Sequence, residues 1–278
     1  MTEPVRLALH QGTTERQWGF VESVEGYARH GIPALTVRRS LVEEHGVAAA
    51  AKLIADAGLK VLGVSLCASL TEDDPARIAA NHEENRRAIE LSATLGATNL
   101  AMISSGLPAG SDDLAGARAR ARDAVAKLLP EARAAGVTLG LEPIHPMRVA
   151  SGCIWSTVDQ AKAVCQELGD GTAIIVDAYH VWWDPDLWAS VDAAKGRIVS
   201  FQISDWLRDT NAVEGSDRGM PGDGVIPLRQ LGDRVRAAGF DGYEELELFS
   251  ERDWWKRDPD EVIEVAIARH LEIFGEGA

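Results

Sequence analysis

ARARARDAVAKLLPEARAAGVTLGLEP, residues 117–143, contains one complete unit of the architecture. Over 117–136, Ala and Leu recur among charges at helical spacing, and the pattern closes on Gly136. A glycine there relieves the left-handed position that ends many helices. VTLGLEP (137–143) follows at once as a short apolar run. Such runs are the pattern of a parallel strand covered on both faces.

The same junction recurs at His30-Gly31, Ala57-Gly58 and Ala238-Gly239. Strand-like runs occur at VRLALH (5–10), PALTV (33–37), LKVLGVSL (59–66) and TNLAMIS (98–104). They continue, beyond 137–143, at TAIIVD (172–177), RIVSFQIS (197–204) and GYEELEL (242–248). DEVIEVAIARHLEIF (260–274) repeats the helical pattern near the end of the chain. Eight strand–helix units in 278 residues predict an α/β protein, a single (β/α)₈ TIM barrel, rather than a doubly wound sheet. No GxGxxG or GxxxxGK[ST] follows the first strand, which removes the usual reason to expect a nucleotide-binding sheet. No linker or low-complexity stretch divides the chain, so residues 1–278 are expected to form one domain. The longest irregular segment, 205–226, has a length that loops more often reach for function than by accident.

Composition narrows the partners. Lys and Arg total 28 against 43 Asp and Glu, a formal charge of −15, and no basic run is visible. A polyanion is disfavoured by that field, so no nucleic acid is expected. The three cysteines, Cys67, Cys153 and Cys165, have no CxxC spacing and suggest neither disulfides nor a zinc knuckle. No apolar run approaches the roughly 18–20 residues of a membrane span, and the N-terminus lacks a leader pattern. A cytoplasmic protein with no membrane partner is the expectation.

Catalytic groups of such a barrel come from the C-terminal ends of its strands. The last four strands all carry polar side chains there: Glu142 and then His145, Asp177 and then His180, Gln202 followed by Asp205, and Glu245 with Glu247. A carboxylate in a packed barrel is costly unless paired, hydrogen-bonded or bound to metal. Three carboxylates and an amide oxygen at one level make a hard, oxygen-rich set that suits Mn²⁺, Mg²⁺ or Co²⁺. Trp182, Trp183, Trp206, Trp254 and Trp255 fall after the same strand ends and suit either the apolar faces of a sugar or the packing of a lid or subunit interface. Arg38-Arg39 after the second strand reads as a solvated helix start more readily than as an anion site.

LEPIHP, VDAYHVWWDP, FQISDW, DRGMPGDGVI and GFDGYEELELF together resemble the xylose-isomerase-like barrels. That family includes sugar-phosphate isomerases/epimerases, D-tagatose 3-epimerase, inosose dehydratase, 3-dehydroshikimate dehydratase and endonuclease IV. The resemblance covers most of the chain and is strongest from 137 to 256. It implies one divalent ion, Mn²⁺ before Mg²⁺ or Co²⁺, held by Glu142, Asp177, Gln202 and Glu247. The register of GFDGYEELELF favours Glu247 over Glu245. Gln202 departs from the family's commoner His and is similar to some dehydratases. His180 resembles the D-x-x-H histidine that contacts substrate in the epimerases and metal in the endonucleases. Arg218 resembles an epimerase arginine, and both residues, with Trp182, are expected to bind substrate.

In the chemistry so implied, the ion polarises a carbonyl and its neighbouring hydroxyl, and Glu142 and Glu247 flank the acidified carbon. His145 is a further acid/base candidate. Proton return at the other face gives epimerisation, at the neighbouring carbon isomerisation. Loss of a β-substituent gives a lyase or dehydratase acting on a keto-polyol, keto-glycoside or dehydroshikimate-like ring. A sugar isomerase/epimerase working on a keto or aldo sugar through an enediolate is the first expectation, and the lyase is the second. The ligand is a small sugar or cyclic polyol, and a homo-oligomer is left open. An endonuclease would need several His ligands and a basic face, which seven His and −15 do not supply.

Overall fold

The apolar runs lie edge to edge as eight parallel strands that close on themselves. They are β1 (Leu7–His10), β2 (Ala34–Arg38), β3 (Lys60–Ser65), β4 (Asn99–Met102), β5 (Thr138–Leu141), β6 (Thr172–Asp177), β7 (Ile198–Ile203) and β8 (Glu244–Leu246). Each pairs with its neighbour in sequence, and β8 returns to β1 through Leu7↔Glu244, Ala8↔Glu245 and Leu9↔Leu246. The computed structural model describes residues 6–210 and 217–275. Val5 of the first run and 211–216 of the long loop lie outside the described residues.

Around the barrel run α1 (Phe20–Arg29), α2 (Arg39–His45), α3 (Val47–Asp56), α4 (Pro75–Thr94), α5 (Leu114–Ala135), α6 (Val158–Leu168), α7 (Ala178–Val181), α8 (Leu187–Ala193), α9 (Leu228–Ala237) and α10 (Pro259–Phe274). Their ends follow local chemistry. The Asp113 carboxylate accepts from the Gly116 N–H at 2.7 Å to start α5. Gly136 ends it at φ 70°, a conformation that a side chain would strain. The α10 start combines Asp258, whose carboxylate accepts from Asp260 and Glu261 N–H, with Pro259 in the first turn. Among the described residues, no helix is long and apolar enough to cross a membrane. All three cysteines are buried with free thiols.

Period-two alternation explains how β8 carries adjacent glutamates. Glu244 faces outward, where His270 of α10 lies 3.0 Å from its carboxylate and Arg236 of α9 pairs with it. Glu245 faces inward, where it meets Ser200 and Gln202 of β7. Glu247 follows with the same parity, at the mouth. The register Asp177↔Gln202↔Glu245 places three polar residues side by side on one level.

The described parts of the long loop after β7 gather around one residue. The Asp205 carboxylate accepts from the N–H groups of Trp206, Gly222 and Ile226 at 2.9, 2.9 and 3.0 Å. Gly224 must be glycine here, because a Cβ would stand 2.4 Å from both the Asp205 carboxylate and the Trp206 carbonyl. Asp205 and Gly219 exchange backbone hydrogen bonds, and Arg218 donates its N–H to the Phe249 carbonyl at 2.8 Å. The DRGMPGDG segment therefore bridges the β7 and β8 loops and turns Arg218 toward the barrel axis.

Candidate active site at the strand ends

Glu142 follows β5, Asp177 ends β6, Gln202 lies in β7 and Glu247 follows β8, and all four are buried. Arg218 holds two of them together. Its Nη1 donates to Asp177 Oδ2 and Glu247 Oε2, both at 2.9 Å, and to the Glu247 carbonyl at 3.2 Å. Its Nη2 lies 3.2 Å from His180 Nε2. The guanidinium is sandwiched between the Tyr179 and Phe249 rings, at 4.7 and 4.9 Å from their centroids. A cation so enclosed is held rigidly, yet its buried Nε has no hydrogen-bond partner among the described residues.

Glu142 stands apart. No described residue donates a hydrogen bond to its carboxylate. Burial holds its pKa well above the ordinary carboxylate range, and the nearby Glu247 and Asp177 charges push it further up. Burial likewise raises Asp177, against the pull of Arg218 and His180. His180 is pressed down to about 3 by burial, so it is neutral at physiological pH. Because guanidinium only donates, His180 Nε2 is the acceptor in the Arg218 contact.

The donor set suits a divalent ion. Glu142, Asp177 and His180 each offer one ligand atom, and the three atoms lie within 4.8 Å of one another. Donors about 2.0–2.6 Å from a shared ion stand up to roughly 5 Å apart. Gln202 adds an independent sign. Its Nε2 donates to Glu245 Oε1 at 3.3 Å, which leaves its buried Oε1 without a partner among the described residues. An orphaned buried carbonyl costs about 1–3 kcal/mol unless something positive meets it. His180, expected to contact substrate, stands with Glu142 and Asp177, and Glu247 shares the Arg218 Nη1 with Asp177.

His10, at the end of β1, is not among the residues that the sequence singles out. Its Nδ1 accepts from the Gly12 N–H at 3.0 Å, so the neutral ring carries its proton on Nε2. That nitrogen lies 2.9 Å from Ser65 Oγ and 3.4 Å from Glu247 Oε1. Burial, with the Arg38 and Arg218 charges, keeps the ring well below its usual pKa. Glu247 thus has a donor on Oε2, with the His10 ring 3.4 Å from Oε1, whereas Glu142 has no donor among the described residues. Applying the strand-end rule to β1 would have found His10.

The tryptophans divide into two groups. Trp206 stacks on His145 with ring centroids 4.8 Å apart and packs on Tyr179 and Trp182 at 4.9 and 5.6 Å. Trp183 meets His145 edge-on and donates Nε1–H to the His180 carbonyl at 2.8 Å. Trp254 and Trp255 belong to the β1 side, where Trp255 donates to the Gly12 carbonyl and packs on Phe249. His145 is half-buried, and its Nδ1 accepts from Met147 N–H at 3.3 Å, which leaves Nε2 without a described partner. Arg38 pairs with Glu15 at 3.1 Å, and Arg39 pairs with Glu84.

Glu245 sits deeper, with Thr36, Ser200 and Gln202 around it, and burial pushes its pKa up to about 7. A folded-state pKa above the unfolded value of about 4.5 means that the fold favours the protonated acid. This contribution is lost as pH rises from about 4.5 through 7. Glu245→Gln should remove that dependence. Urea unfolding without added metal at pH 5 and pH 8 should show the parent losing up to roughly 3 kcal/mol relative to the variant across that window. Parallel pH profiles would mean that Glu245 keeps an ordinary pKa.

A family model described as xylose isomerase-like TIM barrel matches residues 21–270. The structure of protein SMc04130 from Sinorhizobium meliloti 1021 superposes with a TM-score of 0.93 at 38% identity, covering 98% of this chain and 99% of that one. A putative hydroxypyruvate isomerase of Streptomyces coelicolor is 29% identical over 214 residues, 70% of this chain and 71% of the relative. A ketose 3-epimerase of Arthrobacter globiformis is 27% identical over 219 residues, 76% of this chain and 67% of the relative. With nearly the whole closed barrel matched, the chain belongs to the xylose isomerase-like TIM barrel family.

Proposed function

We propose that this protein is a divalent-metal-dependent isomerase/epimerase acting on a keto or aldo sugar or a derivative of one. The observation that carries the reading is the unlike pair of carboxylates at the mouth: Glu142 without a donor among the described residues and with a raised pKa, Glu247 held by Arg218 with the His10 ring beside it. Acid and base roles separate when two carboxylates sit in such contrasting surroundings. The two curated relatives, a ketose 3-epimerase and a putative hydroxypyruvate isomerase, support the same class of chemistry.

Glu142, Asp177, Gln202 and Glu247, with His180 beside them, are the residues that would hold the ion, Mn²⁺ before Mg²⁺ or Co²⁺. When bound, it supplies Lewis-acid stabilisation of the negative charge that develops on the substrate's carbonyl oxygen. One glutamate takes the proton from the carbon next to that carbonyl, and the other returns one. Arg218 and His180 bind substrate oxygens, and His145 serves as an auxiliary acid or base at the rim. The Trp182–Trp206 wall covers an apolar sugar face and excludes water. A second reading, a lyase or dehydratase at the same site, draws on Gln202, whose neutral amide stands where most of the family has imidazole. Residues 1–278 act as one barrel domain in this account. Three buried thiols fit a reducing compartment such as the cytoplasm.

In D₂O, the metal-supplemented protein should exchange the proton next to the carbonyl of a responsive ketose. An isomerase or epimerase leaves every hydroxyl in the product, whereas a lyase releases water or an aglycone. Absence of both exchange and product across ketoses, inososes and 3-keto-glycosides would leave a sugar-binding barrel as the better reading.

A further inference from the structure

Most cations around the mouth are already neutralised. Arg218 is committed to Asp177 and Glu247, Arg38 to Glu15, Arg252 to Asp217 at 2.9 Å, and Arg16 to Glu251 at 3.6 Å. Two rim arginines are not. Arg148 follows β5 and Arg208 follows β7, and neither has an ion pair or side-chain hydrogen bond among the described residues. They come from loops that the structure joins, since His145, three residues before Arg148, stacks on Trp206, two residues before Arg208. The Arg148 side chain is half-buried against Gly152, where an added Cβ would stand 3.1 Å from its Cβ and 3.2 Å from its Nε. It is also close enough to His180 for its charge to help keep that ring neutral. A held guanidinium with no ion pair among the described residues, in a chain of net charge −15, has the chemistry of an oxyanion receptor.

We propose that the substrate carries an anionic group, a carboxylate or a phosphate, at the end remote from its carbonyl, and that Arg148 recognises that group, with Arg208 on the adjoining loop. Arg148 is then a specificity-determining residue that selects a sugar acid or sugar phosphate over a neutral ketose. The inference rests on the proposed sugar chemistry in taking the barrel mouth as the binding site. The Trp206–His145 stack ties together the two loops that carry Arg148 and Arg208, so the anion marks the loop end of the substrate.

Calorimetric binding of glucitol, gluconate and glucitol 6-phosphate to the metal-supplemented protein tests this without requiring turnover. Gluconate or glucitol 6-phosphate, whichever matches the rim, should bind about tenfold or more tightly than glucitol. The better of the two identifies carboxylate or phosphate. Arg148→Gln should erase most of that preference. Lys195→Gln, which removes an unpaired lysine ahead of β7 at the opposite end of the barrel, should keep it. Equal affinity for all three ligands overturns the inference. So does a preference that survives in Arg148→Gln, because another group would then read the anion. If proton exchange in D₂O occurs with neutral ketoses while the Arg148 preference is absent, the proposed reaction stands and this inference falls. An Arg148-dependent preference without exchange reverses that outcome.

Discussion

Glu142→Gln should abolish proton exchange between substrate and D₂O, by about 10²–10⁴-fold, while making the metal-free protein more stable at pH 8. Both effects come from one environment. The carboxyl is buried, no described residue donates to it, and Asp177 and Glu247 lie close by. Its pKa is raised in the fold, so ionising it costs stability that is lost progressively as pH rises above the unfolded value. The neutral amide escapes that cost and keeps the shape. It also loses the charge that attracts a cation and the basic oxygen that moves a proton. Added Mn²⁺ should therefore raise the melting temperature of the parent more than that of the variant, because binding only to the folded state stabilises it by mass action. Exchange in the variant at the parent's rate, with equal metal content, would remove Glu142 from the chemistry. A variant less stable than the parent at pH 8 without metal would mean that the carboxylate has a favourable partner.

The barrel was legible because parallel strands covered on both faces leave a strong signal. TAIIVD, expected over 172–177, is β6 with those same bounds, and all six residues are buried. Bounds were less legible where loops continue the apolar pattern. TNLAMIS suggested a strand over 98–104, but pairing spans Asn99–Met102, and Ser104 turns its hydroxyl to the Ile154 N–H and Cys153 instead. In EELEL, charge on both faces hides the alternation, so nothing local reveals that Glu244 serves the helix layer while Glu245 serves the interior. The candidate site was legible on strands five to eight, where carboxylates interrupt apolar runs. His10 was not, because a histidine ending an apolar strand looks like any satisfied ring until Gly12, Ser65 and Glu247 are seen around it. The role of Asp205 was equally hidden. Its three N–H donors are spread over 206–226, and only the folded loop gathers them.

Replacing Arg218 by Met should separate two quantities that ordinarily fall together, raising affinity for a divalent ion while reducing turnover by about 10²-fold or more. The buried guanidinium is the cation that Asp177 and Glu247 share, both at 2.9 Å. Removing it leaves those carboxylates and Glu142 together with no fixed positive charge in contact among the described residues. Breaking such a buried pair by deleting one partner costs about 3–5 kcal/mol. The sign of the pH dependence follows. Without Arg218, Asp177 and Glu142 protonate more readily in the fold, so the loss should be largest at pH 8 and shrink toward pH 4. A divalent ion supplies the missing charge, so metal should recover much of the stability, and the variant should hold it more tightly than the parent does. Turnover should not recover, because the contact to His180 and the donor set between Tyr179 and Phe249 are gone. Metal titration followed by thermal unfolding, beside an exchange assay at saturating metal, reads both quantities. If Arg218→Met instead loses metal affinity, Arg218 acts chiefly as a clamp that shapes the ligand set. Its charge would then not compete with the ion for the same carboxylate oxygens.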